Sequence, residues 1–293
     1  MSSKALRHPP AVTFLVVAVL AIWMILAAFP FLWTLWGSFK VEGDFFSKAS
    51  WANALFGTLT TAETGDSFTN NGYYGAWVQE EFWRAAWKSV IVCFFVVTIS
   101  LTLGTFAGYA LARSTYRYAF WFLLAALIFR AMPPVTLVSG YLPVFFQWNL
   151  WGHTTTTIIV LVAINQPFTL WMLHSFFKNI PAELDESAMV DGFTRFQAFR
   201  NVIIPVMWPG VVTTGLFSFL LAYNDFTTTS MLLTETNATM IPKINSFLGS
   251  TQEEGKVMYA VAAVVSAIIP LFVLIMFFQR QIVSGLTAGA VKG

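Results

Sequence analysis

A charged segment interrupts an otherwise apolar chain between residues 181 and 209. Its first acidic residues, Glu183, Asp185 and Glu186, come shortly after Pro181. Proline suits the first turn of a helix because its missing N–H is not needed there. Negative charge in this turn stabilises the positive end of the helix dipole. The chemistry that these residue types offer is therefore charge pairing at the start of a surface helix.

Small and helix-breaking residues divide this segment into two short pieces. Ala188 is small, and Gly192 breaks the helix either as a left-handed C-terminal residue or as a point of close approach. A second short helix is expected over 195–202, after which Pro205 and Pro209 mark the entry into an apolar helix. The sequence therefore predicts a compact helix-turn-helix, which we call the elbow segment (residues 181–209).

The rest of the chain has the composition of an integral membrane protein. Hydrophobic residues make up 57% and charged residues 10% of its 293 positions, and the mean hydropathy is +0.68. The apolar runs are continuous rather than alternating, which indicates helices and excludes a barrel. A helix needs about 20 apolar residues to cross a bilayer. The fold is therefore predicted to be all-α and polytopic, with six transmembrane helices near residues 12–38, 86–112, 118–142, 154–177, 203–234 and 258–279.

Basic residues near the ends of these helices predict the orientation of the chain. If the N-terminus is inside, the cytoplasmic segments hold Lys4, Arg7, Arg113, Arg117, Lys178, Arg195, Arg200, Arg280 and Lys292. Both termini are therefore predicted to be cytoplasmic. The predicted organisation is a cytoplasmic N-terminus with the first helix (1–40), an outward loop (41–85), a five-helix core (86–280) containing the elbow segment, and a cytoplasmic tail (281–293).

The spacing of the elbow segment resembles the EAA motif of permease subunits in binding-protein-dependent ABC importers. The positions that match are Glu186, Ala188, Asp191, Gly192, Phe199, Pro205 and Pro209. Ser187 and Phe193 stand where the family most often has alanine. The resemblance implies the type I ABC importer permease fold. It also implies that the segment docks onto an ATPase through Glu186, Ser187, Ala188, Asp191, Gly192, Phe193, Phe199 and Pro205.

Further motifs resemble the carbohydrate branch of this family, specifically the second permease of maltose-type importers. They are Tyr109–Arg113, Arg130–Pro134, Tyr223–Phe226 and the tail Gly285–Gly293. The resemblance implies that the tail contacts the ATPase pair through Thr287, Gly289 and Lys292. It also implies that an outward loop at 235–257 reaches the binding protein through Gly249, Ser250, Thr251 and Gln252.

Five polar residues fall within predicted apolar segments, where charge is costly unless it is paired or faces water. They are Arg130, Asn165, Gln166, Asn224 and Asp225. They could line a translocation path, or they could bond across helices and satisfy backbone groups freed by nearby prolines. Gly104 and Gly108, four residues apart, could form a close-packing helix face.

The leading hypothesis is a permease subunit of an ATP-driven importer of a mono-, di- or oligosaccharide or a polyol, without catalysis of its own. No G-x-x-x-x-G-K-[ST] sequence is present, so ATP and Mg would bind a separate ATPase chain. The implied partners are a second, different permease, a pair of ATPase subunits and an extracytoplasmic binding protein, in a bacterial inner membrane. The alternative is a secondary transporter driven by an ion gradient. Neither a metal site nor nucleic acid binding is expected from the scattered histidines and the net charge of +2.

Overall fold

The computed structural model describes residues 10–40, 70–249 and 256–290, with side chains through Gln281 in the last of these ranges. This part of the chain contains helices and no strand, as an all-α fold requires. The helices are α1 (Pro10–Gly37), α2 (Asn71–Tyr74), α3 (Phe82–Arg113), α4 (Tyr118–Ala131), α5 (Pro134–Gln147), α6 (Thr154–Lys178), α7 (Glu183–Val190), α8 (Arg195–Ala198), α9 (Ile204–Tyr223), α10 (Thr227–Leu232), α11 (Met240–Gly249) and α12 (Lys256–Ala290). A π-turn follows α2 at Gly75–Gln79, another joins α8 to α9 at Phe199–Ile203, and a 3₁₀ turn covers Glu235–Asn237.

Five stretches of helix in the described residues are long and apolar enough to cross a membrane. They are Pro10–Gly37, Phe82–Arg113, Thr154–Lys178, Arg195–Tyr223 and Lys256–Gln281. The pair α4 and α5 passes the same test together and makes a sixth span if the two are counted as one. The six predicted apolar segments are therefore all helical, although not all are single helices.

The prediction of a single helix over the third span, 118–142, is wrong. It is broken after Ala131, and α4 and α5 are bent by 88° at the break. Pro133 lies at the break and Pro134 begins α5. Proline removes a backbone donor and clashes with the preceding helical turn, and a residue before proline avoids the helical region. Two consecutive prolines therefore end the first piece and start the second.

The fifth predicted span, 203–234, differs at both ends. The short helix expected over 195–202 is not separate, because α8, the π-turn and α9 form one continuous stretch. The π-turn lies directly before Pro205, whose ring and missing N–H disturb regular α-helical bonding in that turn. At the other end α9 stops at Tyr223, and α10 is a distinct short helix.

The chain divides into two compact units, and the first comprises residues 1–80 and 247–268. The predicted outward loop 41–85 is partly helical here, because α2 and its π-turn pack tightly on the start of α12. A Cβ at Gly75 would lie 2.0 Å from the Tyr259 ring, and one at Gly72 would lie 2.8 Å from the carbonyl oxygen of Met258. The part of this loop at 41–69 lies outside the described residues.

The second unit, residues 81–246 and 269–293, is built on α3, α6 and α9. A Cβ at Gly104 would lie 2.9 Å from Thr169, and one at Gly108 would lie 3.1 Å from the backbone nitrogen of His174. The predicted close-packing glycine face is thus confirmed. Because the residue numbers on both helices increase together along these contacts, α3 and α6 run parallel. The C-terminal ends of both helices therefore lie beside the elbow segment.

Candidate functional site

The turn of the elbow segment is closed by a Schellman motif at the end of α7. Gly192 has a φ of +91°, which favours glycine. Its N–H donates to the carbonyl of Met189 at 3.1 Å, and the Phe193 N–H donates to the carbonyl of Ala188 at 3.1 Å. The left-handed alternative predicted for Gly192 is therefore confirmed, and the space around its missing side chain is open within the described residues.

A capping box starts α8 directly after this turn. The Thr194 hydroxyl accepts a hydrogen bond from the Gln197 N–H at 3.3 Å, and the Thr194 N–H donates to the Gln197 side chain at 2.8 Å. Four residues, 191–194, thus connect two helices whose facing ends are both closed by local hydrogen bonds. The shape of the elbow is therefore encoded locally by Gly192, Thr194 and Gln197.

One carboxylate of the elbow segment points inward. Asp185 is buried, and its two oxygens accept hydrogen bonds from Tyr109 Oη at 2.5 Å and Arg113 Nε at 2.7 Å. Arg113 Nη1 also donates to the carbonyls of Ile180 at 2.9 Å and Phe177 at 3.3 Å. Carbonyls in the last turn of a helix lack partners within that helix. The Arg113 guanidinium therefore also satisfies backbone carbonyls at the end of α6.

An aromatic cluster packs beside this ion pair. The Phe199 ring is buried and lies 4.7 Å from Tyr109, 5.5 Å from Phe106 and 6.4 Å from Phe177, measured between ring centroids. Ala112, Ile203 and Met207 belong to the same core. These buried aromatic rings contribute apolar contact between the elbow segment and the helices α3 and α6.

The opposite face of the elbow segment is exposed and unusually apolar. Before α9 begins, its exposed large apolar residues are Leu184, Met189, Val190, Phe193 and Phe196, with Val190 87% exposed. Glu186, Ser187 and Asp191 are exposed among them. In a typical surface helix a carboxylate such as Asp185 would face solvent and a valine such as Val190 would be buried, and here the reverse holds. This inverted pattern is typical of a surface that is covered by another protein.

The residues expected to contact an ATPase therefore divide into two groups. Glu186, Ser187, Asp191, Gly192 and Phe193 are exposed, whereas Ala188 and Phe199 are buried against this chain's own helices. Pro205 is exposed in the first turn of α9.

The sequence predicts Asp185 as charge at a helix start, Tyr109 as part of a motif, and Arg113 as part of that motif and as a basic flank. It does not predict the ion pair that holds the elbow segment to α3. The sequence carries no signal for this pair, because a basic residue at the cytoplasmic end of an apolar helix needs no partner.

The five polar residues of the predicted spans do not form one site. Arg130 and Gln166 line a cavity of about 530 Å³ among α4, α5 and α6 with mostly apolar walls. Asn165 is buried and donates to the Ser218 hydroxyl on α9, so it bonds across helices. Asn224 is exposed and donates to the carbonyl of Leu220 at 3.0 Å.

Asp225 lies beyond the end of the fifth span rather than inside it. Its carboxylate accepts hydrogen bonds from the Thr229 N–H at 2.9 Å and the Thr228 hydroxyl at 3.0 Å, so it satisfies a backbone donor in the first turn of α10. Burial raises the pKa of this carboxyl, and the hydrogen bonds from the two threonines oppose that shift. These contacts give Asp225 a clear role in local structure.

The remaining predicted contact residues lie near the edges of what the structure describes. Gly249 ends α11, while Ser250, Thr251 and Gln252 lie outside the described residues. Thr287 and Gly289 lie within α12, and Lys292 lies outside the described residues. Within the described part of the chain, no three His, Cys, Asp or Glu side chains converge as a metal site would require.

Membrane-length helices and a locally encoded elbow with an exposed apolar face define a polytopic membrane protein. The chain belongs to the family described as the binding-protein-dependent transport system inner membrane component, whose model matches residues 100–287. It is a permease subunit of an ABC importer and not an enzyme.

Relatives and a solved structure agree with this assignment. The chain is 33% identical over 226 residues to the trehalose transport system permease protein SugB of Mycobacterium tuberculosis, covering 77% of this chain and 82% of that protein. It is 32% identical over 267 residues to the diacetylchitobiose uptake system permease protein DasC of Streptomyces coelicolor, covering 90% and 92%. It is 34% identical over 210 residues to the trehalose/maltose transport system permease protein MalG of Thermococcus litoralis, covering 70% and 74%.

The fold is similar to that of a chain in the crystal structure of a bacterial ABC transporter involved in the import of the acidic polysaccharide alginate. The TM-score is 0.71 at 17% identity, and the match covers 95% of this chain and 99% of the other. At this identity the likeness shows the fold, which is the predicted one for an ABC importer permease.

Proposed function

We propose that this chain is one of two different permease subunits in an importer of a sugar, either a mono-, di- or oligosaccharide or a polyol. A pair of ATPase subunits binds ATP and Mg and docks on the exposed face of the elbow segment. An extracytoplasmic binding protein delivers the sugar. The complex lies in a bacterial inner membrane, with both termini of this chain in the cytoplasm.

The observation that carries the docking part of this proposal is the inverted pattern of the elbow segment. Asp185 is buried and paired, while Val190, Phe193 and Phe196 of the same segment are exposed. Leaving such side chains in water is unfavourable by about 25 cal/mol per Å² of apolar surface, so covering them by a partner is favourable. Glu186 and Asp191 beside them offer charges that fix the orientation of that partner.

The sugar assignment rests on the relatives, whose names give trehalose, maltose and diacetylchitobiose as transported solutes. A second permease is supported by α1, in which only Gly37 is buried. Most of the α1 side chains are exposed among the described residues, so this apolar surface is available to another subunit. The expected residues of the tail and of the loop near Gly249 remain part of this proposal.

Gentle purification of the tagged chain from its native membranes tests the proposal directly. We expect mass spectrometry to identify a second, different permease and an ATPase in the purified material. Val190→Glu should abolish recovery of the ATPase while the second permease is retained, because it places a charge on the apolar face. Thr236→Glu, an exposed position outside the elbow segment, is the matched control and should change neither.

Recovery of the chain alone or as a homo-oligomer, reproducibly free of ATPase, would contradict the proposal. Such a result would favour a transporter driven by an ion gradient. If the expected subunits are recovered, the binding protein that accompanies them can be screened against a panel of sugars and polyols.

A further inference from the structure

We propose that Tyr109, Arg113 and Asp185 form a strut that transmits displacement of the elbow segment to helix α3. This inference rests on the proposed function, since it identifies the residues through which ATPase movement reaches the membrane helices. In this view Asp185 and Arg113 are positioning residues that touch neither the sugar nor ATP.

The first argument is that Asp185 is committed to this contact. It is the acidic residue of α7 that is buried, whereas Glu183 and Glu186 on the same helix are exposed. Both of its oxygens are used, one by Tyr109 and the other by Arg113. Burying a carboxylate is costly unless it is paired and hydrogen-bonded. The elbow segment therefore cannot move away from α3 without exposing or unpairing this charge.

The second argument is that a single guanidinium joins three elements. Arg113 is the last residue of α3, and it binds Asp185 of α7 and the carbonyls of Phe177 and Ile180 at the end of α6. The fixed fork of the guanidinium makes these bonds in different directions at once. A lysine keeps the charge at this position but offers a single nitrogen, so it cannot reproduce the fork.

The third argument concerns direction. The aromatic cluster around Phe199 holds the same elements together, but apolar contact is non-directional and allows sliding. The hydrogen bonds that Tyr109 and Arg113 donate to the Asp185 carboxylate are directional, so they fix both the distance and the angle between α7 and α3. Helix α3 has 32 residues and extends for about 48 Å at 1.5 Å per residue. A displacement applied at Arg113 therefore acts at one end of a long rigid element.

The experiment compares wild type, Asp185→Asn and Arg113→Lys in the complete transporter, reconstituted in vesicles with its binding protein. We expect both variants to assemble with the ATPase and to hydrolyse ATP, while sugar transported per ATP falls at least tenfold. Arg117→Lys, the same substitution at an exposed arginine just beyond α3, is the control and should match wild type.

Coupling as in wild type in both variants would overturn the strut. If Asp185→Asn fails to assemble, Arg113→Lys decides the matter, because it retains the charge. Loss of ATPase recovery in Arg113→Lys would assign the contact to docking or folding and would also overturn the inference. An absence of ATPase from the wild-type complex, in contrast, would refute the proposed function itself.

A distance measurement gives a readout that a merely structural role would not move. Spin labels at positions 183 and 117, both exposed and outside the apolar docking face, report the separation of α7 from the end of α3. Cys93 is buried and is replaced beforehand. We expect one narrow distance distribution in wild type, with and without ATP, and a broadened or ATP-dependent one in Arg113→Lys. Identical distributions in both proteins would contradict the strut.

Discussion

Replacing Gly192 by alanine tests whether the elbow depends on its left-handed turn. The glycine has a φ of +91°, and no atom of the described residues lies within 4 Å of the Cβ that alanine would add. Alanine therefore meets no steric clash in this chain, and its whole cost is conformational. For an L-residue the left-handed region costs about 1–2 kcal/mol. That cost opposes the Schellman motif that closes α7.

A penalty of this size increases opening of the turn by a factor of about 5 to 30. Hydrogen exchange measured by mass spectrometry should show this as faster exchange of the amides of Gly192 and Phe193, whose bonds close the turn. The global melting temperature should change little, because the aromatic cluster around Phe199 is untouched. Sugar uptake should fall, since the turn orients the exposed face.

Gly192→Asn is the matched variant for this prediction. Asparagine adopts the left-handed region more readily than other non-glycine residues, so the turn should remain closed. If the turn alone matters, asparagine preserves uptake and alanine does not. If the ATPase approaches Gly192 closely, both substitutions reduce uptake, and Gly192→Glu abolishes it. Unchanged amide exchange in Gly192→Ala would refute the reasoning about the turn.

Three further predictions concern the helices. Phe199→Ala should destabilise the purified chain by about 3–5 kcal/mol and lower its melting temperature, because a buried aromatic ring leaves a cavity; an unchanged melting curve would contradict this. Gly104→Leu should abolish accumulation in the membrane on immunoblots, since even its Cβ would lie 2.9 Å from Thr169, whereas Gly104→Ala should be partly tolerated. Lys88→Met should speed amide exchange over 235–240, because Lys88 donates to Asn237; equal exchange rates would assign that contact no restraining role.

The turn of the elbow segment could be predicted from the sequence because its signals are local. Gly192 and the two prolines that follow each act on the backbone within a few residues of themselves. The break in the third span also had a local signal, Pro133 followed by Pro134, but the apolar run continued through it. Hydropathy averages over many residues, so it registers the lipid environment and not the interruption of a helix.

The inward-facing ion pair could not be predicted in this way. Asp185 and Arg113 are 72 residues apart, and each has a sufficient local explanation, one as charge at a helix start and the other as a basic flank. Only the parallel packing of α3 and α6 brings the end of α3 beside α7. The burial of Phe199 follows from the same packing, which no spacing along the chain specifies.

A photo-reactive amino acid at position 190, activated in native membranes, tests the central claim most directly. Val190 is 87% exposed on the elbow segment, and Trp148, 68% exposed beyond the end of α5, serves as the control position. We predict that position 190 crosslinks to an ATPase subunit and that position 148 does not. Crosslinking of position 190 to lipid alone, in membranes that contain the ATPase, would contradict the claim that this segment is the docking site.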